Sequence, residues 1–233
     1  MADVFKKIRK AFDKLEKRIF VSEADFQHAL AMKLEQYFKG RVRLEYPIIR
    51  PKRVQTTKGK YIYADIVIKD DNKKYVIELK YKTQAIKGMP DVDDDGILAC
   101  KLLKNQSAHD FGAYDFWADI NRVEQLVVQN GYEGGVCIFL TNDSNYTKPH
   151  TGTIYSNFSI GGGTHKPAKK KWIATDRCSK QRIAEIQQTR PNLNIQKPYE
   201  FNWQDFLTLP DTSGGKFRCL YVEIPDASKV GAI

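Results

Sequence analysis

Asp65, Glu78 and Lys80 have the types and the spacing to do chemistry. They fall in DIVIKDDNKKYVIELKYK, where two apolar runs that read as strands flank the turn-forming DDNK. With the turn centred on Asp71-Asn72, antiparallel pairing sets Lys69 opposite Lys74, Val67 opposite Val76 and Asp65 opposite Glu78. A longer loop, Asp70 to Lys73, keeps the same pairs, and only a bulge would break them. Alternation along the strand brings Lys80 to the face of Glu78, beside Val67 and Val76. Ala64, Ile66, Ile68, Ile77 and Leu79 take the other face.

Directly opposed residues hold their β-carbons about 4.5–5.5 Å apart. Two carboxylates that close, in a partly covered place, repel each other and are poorly solvated unless a cation or a proton lies between them. Lys80 offsets part of that cost. Mg²⁺ would satisfy the pair, because it is a hard cation commonly bound by one or two carboxylates plus waters and phosphate oxygens. The alternative is an ion pair of Lys80 with one acid on a solvent-facing edge, or another register.

The surrounding elements must position this cluster. Ser22 can cap a helix, with Asp25 completing the box-like start of FQHALAMKLEQYF and Gly40 near its end. On that helix Glu23 falls within the stripe of Phe26, Leu30, Leu34 and Tyr37, which aims a carboxylate at the core; the competing reading is favourable placement in the first turn. RVRLEYPII alternates as a strand whose Pro47 suits a sheet edge. YDFWADINRVEQLVVQ reads as a helix with Phe116, Ile120, Val123 and Val127 on one face, ending at Asn130-Gly131, and GGVCIFLTND as a central buried strand. Ahead of all these, Val4, Phe5, Ile8, Phe12, Leu15 and Ile19 predict an amphipathic helix with a basic face.

The order helix, three strands, helix, strand, with Asp65 on the second strand and Glu78-Leu79-Lys80 on the third, resembles the PD-(D/E)XK nuclease superfamily, the restriction-endonuclease-like fold. The likeness covers roughly residues 20–142, and Ala64 stands where the superfamily's name has proline. The resemblance implies that Asp65 and Glu78 ligate one or two Mg²⁺ ions, with Mn²⁺ able to substitute, and that the Leu79 carbonyl joins them. It implies that Lys80 positions or activates the attacking water, or stabilises charge on the phosphate, and that Glu23 is the acid of the first helix. QSAHDFGAYDFWADINRVE is similar to a segment that follows the active-site strands in a group of uncharacterised members. There Gln106, Asp110, Asp119 and Arg122 would line the site or contact phosphate, the alternative being a solvated helix start and ordinary polar residues at the surface, and Lys82 is a further candidate contact to nucleic acid.

The 233 residues, 42% of them hydrophobic, suffice for a large core, and the net charge of +10 favours a polyanionic partner. The expected partner is DNA, with a homodimer if both strands are cut. IGGGTHKPAKKKW joins flexible glycines to Lys169, Lys170, Lys171 and Trp172. This composition suits a β-hairpin tip that either tracks a phosphate backbone or is merely solvated. Cys100, Cys137, Cys178 and Cys219 form no CxxC pair, and no HExxH, GxSxG or P-loop pattern occurs, so zinc knuckles and a nucleotide cofactor are not expected. DVDDDG at 91–96 imitates a calcium loop, but Leu102 stands where the bidentate Glu belongs, so an acidic surface loop is expected. No apolar run approaches the roughly 20 residues that cross a bilayer, and the first residues lack a signal peptide's apolar centre, so a cytoplasmic protein without membrane contact is expected.

The expected architecture is α/β. A single nuclease-like domain holds an αβββαβ core with a mixed sheet flanked by helices (21–142), an N-terminal helix (1–20) and a β-rich C-terminal elaboration (143–233). The expected function is Mg²⁺-dependent hydrolysis of DNA phosphodiesters. The alternative is a non-catalytic nucleic-acid-binding or protein-interaction module on the same fold.

Overall fold

The computed structural model describes residues 2–52, 59–88, 103–106 and 108–226; the acidic stretch 91–96, Cys100 and Leu102 lie outside these. Helix α1 (Ala2–Asp13) buries Val4, Phe5, Ile8 and Phe12. It stops well short of the helix expected through residue 20. Leu15, Ile19 and Phe20 are buried all the same, from a non-helical segment. The Arg18 guanidinium holds that segment, donating to the Ile19 carbonyl at 3.1 Å and to the Asp25 carboxylate at 2.6 and 3.0 Å. Helix α2 (Glu23–Glu35) starts where the cap predicts, Ser22 Oγ accepting the Asp25 N–H at 3.1 Å, and turns carry the chain from Glu35 to Gly40.

Three strands follow, β1 (Val42–Ile49), β2 (Tyr61–Asp70) and β3 (Lys73–Lys82), then helix α3 (His109–Asn130) and strand β4 (Gly134–Thr141). This is the element order read from the sequence. α3 begins five residues before Tyr114 because its N-cap, Ala108, makes no side-chain capping bond that a sequence could announce. It ends as expected, with Gly131 left-handed at φ 66°. Beyond β4 come β5 (Gly163–His165), β6 (Ala168–Lys170), helix α4 (Lys180–Thr189), β7 (Leu193–Ile195), β8 (Tyr199–Phe201), β9 (Trp203–Thr208) and β10 (Lys216–Pro225).

Six strands form one mixed sheet in the order β1-β2-β3-β4-β10-β9, in which only β3 and β4 run parallel. β1 is an edge strand, as Pro47 predicted. One face packs against α1 and α2 through Phe12, Phe26, Leu30, Ile66, Ile77 and Leu79. The other packs against α3 and the C-terminal part through Val67, Val76, Phe116, Trp117 and Phe139. Ala64 belongs to this second face together with Ile48 and Ile62, not to that of Ile66 and Ile68 as strict alternation required. The alternation inverts across Glu45 and Asp65, where Glu45 has φ 46° and drops out of the β1–β2 ladder. Beyond this point the β1–β2 arm folds over α3, where Asn130 Nδ2 donates to the Ile49 carbonyl at 2.9 Å and the Lys52 N–H to Gln129 Oε1 at 3.0 Å.

The hairpin expected around the GGG tip does not form. β5 pairs with β8 and β6 with β7, because Lys170 and Trp172 turn inward among Trp117, Tyr114 and Phe158 instead of standing on a tip. Among the described residues, no helix is long and apolar enough to cross a membrane.

Candidate active site

The β2–β3 register is the predicted one. Val67 faces Val76, Lys69 faces Lys74, and the turn is the two-residue Asp71-Asn72, with Asp71 at φ 53°. The ladder stops at Ile66–Ile77, and Asp65 continues it with its side chain: Oδ2 accepts the Leu79 N–H at 2.6 Å. A carboxylate bonded one residue past Glu78 stands against that residue, on the strand that carries Lys80.

Glu78 is 1% exposed, and its counter-charge comes from α3: Arg122 Nη2 lies 3.1 Å from Oε2. The same guanidinium binds Asp119, one helical turn earlier. Asp119 Oδ2 in turn lies 2.8 Å from Lys80 Nζ, which also donates to the Leu79 carbonyl at 2.9 Å. A continuous chain of charge therefore runs Glu78, Arg122, Asp119, Lys80 from strand to helix and back. Glu23 approaches from α2 and accepts the Tyr81 N–H at 2.7 Å through Oε2.

Burial sets the electrostatics. It pushes the Asp65 carboxyl up to about 6, against the pull of Lys80, with Asp119 and Glu23 adding to the rise. It drives Glu78 well above the ordinary carboxylate range, although Arg122 and Lys80 oppose the shift. Burial acts the other way on Lys80, but Asp119, Glu23 and Asp65 outweigh it and hold the ammonium above its ordinary value. Lys80 is thus a charged group at neutral pH.

Asp65, Glu78, Glu23 and Asp119, when ionised, face two cations, Lys80 and Arg122, which leaves an excess of two negative charges in a largely buried cluster. Glu78 Oε1 is buried with no hydrogen-bond donor. This set fits a hard divalent cation through Asp65 and Glu78, each keeping one carboxylate oxygen free of the bonds described above. It does so as a two-carboxylate site: among the described residues no three His, Cys, Asp or Glu side chains are grouped to hold a metal ion. Of the two further expected ligands, Glu23 is engaged through Oε2 by the Tyr81 N–H and the Leu79 carbonyl accepts from Lys80.

A cleft of about 320 Å³ opens onto the helix side of the cluster, lined by Lys80, Asp115, Asp119, Arg122 and Arg190 among others. Lys80 and Arg122 connect it to the acids behind them. The remaining candidates are dispersed. Lys82 is half-buried at the end of β3, and Gln106 is exposed, its N–H donating to the Thr83 carbonyl at 3.0 Å. Lys169 and Lys171 are exposed, whereas Lys170 is 6% exposed with its amine 3.6 Å over the Trp117 ring. Trp172 is 4% exposed and stacks on Tyr114, so it offers no ring to a nucleic acid. The resemblance offered Asp119 and Arg122 as residues that line the site or contact phosphate, without their pairing to Lys80 and Glu78. The Asp119–Arg122 spacing of three residues on a helix was the available signal.

No family model and no curated protein matches the chain. A solved structure titled "Crystal structure of SSO0001" is similar over 51% of this chain and 47% of its own, at 22% identity and a TM-score of 0.25. The chain spans about half the length of that protein, and so low a TM-score assigns neither fold nor function.

Proposed function

We propose that the chain is a divalent-metal-dependent phosphodiesterase acting on DNA, with α2, β1, β2, β3, α3 and β4 as a restriction-endonuclease-like αβββαβ core. The observation that carries this reading is the excess of acids over cations in the cluster of Asp65, Glu78, Glu23, Asp119, Lys80 and Arg122, with Glu78 Oε1 left without a donor. Asp65 and Glu78 would hold Mg²⁺, or Mn²⁺ in its place. When bound, such an ion polarises a phosphodiester and lowers the pKa of a coordinated water.

The chain's own residues supply the rest. Lys80, kept protonated by Asp119, Glu23 and Asp65, presents positive charge to a phosphate in the cleft and stabilises charge that develops there. Arg122 and Asp119 orient Glu78 and Lys80 from the same helix. A non-catalytic binding module on this fold is the second reading, and it draws on Arg122, which already gives Glu78 a counter-charge.

Cleavage of plasmid, linear and single-stranded DNA with Mg²⁺, Mn²⁺ or EDTA separates the two, comparing the wild type with Glu78→Gln and Lys80→Ala. Metal-dependent cutting lost in both variants is expected. Cutting that survives both would put the chemistry elsewhere, and no cutting by the wild type on any substrate would leave the binding module.

A further inference from the structure

The β1–β2 arm carries an apolar strip for which neither the core nor the cluster around Glu78 has a use. Its inner residues Ile48, Ile62 and Ala64 are buried at 4%, 3% and 1% exposure, while on its outer face Ile49, Tyr61 and Tyr63 are 60%, 49% and 58% exposed. Ile49 is the ladder partner of Tyr61, and Pro47 that of Tyr63, so the four side chains form one continuous patch. Exposed aromatic and aliphatic groups gathered in this way mark a contact surface. The arm that presents them is braced on α3 by Asn130 and Gln129.

The charge around the strip selects its partner. Of the described residues of the arm, 46–52 and 59–64, three are basic (Arg50, Lys52 and Lys60) and none is acidic. Lys60 Nζ stands 5.5 Å over the Tyr61 ring. Basic groups flanking accessible tyrosines combine backbone attraction with ring faces on which bases stack. In an unkinked duplex the base faces are stacked on one another and closed to these rings. Tyr61 and Tyr63 are two residues apart on one face, about 6.8 Å along the strand. That is about twice the 3.4 Å rise of stacked bases in a duplex, so successive bases reach the two rings only when unstacked.

We infer that the outer face of the β1–β2 arm is a docking surface for single-stranded DNA, with bases on Tyr61 and Tyr63 and phosphates along the arm's basic residues. The inference rests on the proposed nuclease reading and specifies its substrate. Asp65 lies two residues past Tyr63 on the same strand, about 7 Å further, at the point where the alternation of faces inverts.

The test is fluorescence anisotropy in EDTA, where nothing is cut, with a labelled 20-nucleotide oligothymidylate and a labelled duplex of the same length. The proteins are the wild type, Tyr61→Ala/Tyr63→Ala and Tyr61→Phe/Tyr63→Phe; all four substitutions are at exposed side chains, and circular dichroism checks the fold. Loss of the rings is expected to weaken single-strand binding by about tenfold or more, with the phenylalanine variant near wild type and duplex binding unchanged. No single-strand binding by the wild type, an equal loss on duplex, or an alanine variant that binds as well as wild type would each overturn the proposal. So would light scattering that shows the wild type dimeric and the alanine variant monomeric with unaltered DNA affinity, which would make the strip a contact between two copies. Because binding is read without metal, failure here leaves the nuclease test standing, and failure of cleavage leaves the docking surface standing.

Discussion

Arg122 Nη2 and Glu78 Oε2 lie 3.1 Å apart, and the guanidinium that makes this contact also holds Asp119, so one cation from α3 ties a strand carboxylate to a helix carboxylate. With Glu78 1% exposed, removing that cation strands a charge where water cannot reach it.

Arg122→Ala should therefore destabilise the protein by about 3–5 kcal/mol in urea unfolding, the usual cost of breaking a buried pair from one side. Combining Arg122→Met with Glu78→Gln removes both charges and should restore much of the loss. If the double variant is as unstable as the single, the loss is one of packing, not of charge.

Asp65 predicts a pH dependence for the metal-free protein. Burial raises its carboxyl from 3.8 to about 6, so between these values the folded state binds more protons than the unfolded one. Stability from this group is thus greatest below about pH 4, falls as pH rises toward 6 and is level beyond. Asp65→Asn lacks the titration and can still accept the Leu79 N–H. In EDTA it should gain on wild type across that window by at most about 3 kcal/mol, less where water screens the group. A wild-type-to-variant gap that stays constant from pH 4 to pH 7 would show that Asp65 is not desolvated.

The part of the site that was legible in the sequence is the part fixed by local pairing. Alternation and a short turn set Val67 against Val76, whereas the ladder ends at Ile66–Ile77 and Asp65 reaches β3 through its side chain, at the Leu79 N–H, not as the ladder partner of Glu78. Glu45 and Asp65 mark the limit of that reasoning, because a local break inverted the faces and carried Ala64 to the other side. Arg122's bond to Glu78 depends on how α3 lies across the sheet, which no helix periodicity specifies. In the C-terminal part, β5 with β8 and β6 with β7 are pairings between distant segments, whereas GGG followed by a basic run suggests a neighbouring hairpin. α1 shows the converse. Leu15 and Ile19 keep helical spacing and reach the core, yet the chain is not helical there, because burial constrains side chains and leaves the backbone a choice.

Three consecutive lysines divide by burial. Lys170 donates to the Asn157 carbonyl at 2.7 Å, and burial pushes its amine down to about 8, whereas Lys169 and Lys171 face solvent. Lys169→Ala and Lys171→Ala should each flatten the salt dependence of DNA binding if they touch phosphate, while Lys170→Met should leave it unchanged. Lys170 should report on stability instead. The unfolded amine keeps its proton up to about 10.5 and the folded one releases it near 8, so wild-type stability relative to Lys170→Met should rise between these pH values. A DNA-binding defect in Lys170→Met with an unchanged melting curve would mean that the amine is reachable.

Glu124 fastens the C-terminal part to α3. It is 2% exposed, and its carboxylate accepts the Gln196 N–H at 3.0 and 3.2 Å, the Lys197 N–H at 3.2 Å and the Tyr199 hydroxyl at 2.8 Å. All three partners are donors, and Oε2 takes only the Gln196 N–H, so Glu124→Gln sets an amide N–H₂ against that N–H and replaces a charged acceptor by a neutral one. The cost should be about 2–3 kcal/mol, the scale of a hydrogen bond to a buried charged group. The segment concerned follows Arg190, which lines the cleft beside Lys80, so loosening it should reach the site. Hydrogen exchange should show the Gln196 and Lys197 amides losing protection before the amides of β4, which is buried throughout. If the amides of β4 and of residues 196–197 lose protection together, Glu124 stabilises the whole domain and the C-terminal part has no separate mooring.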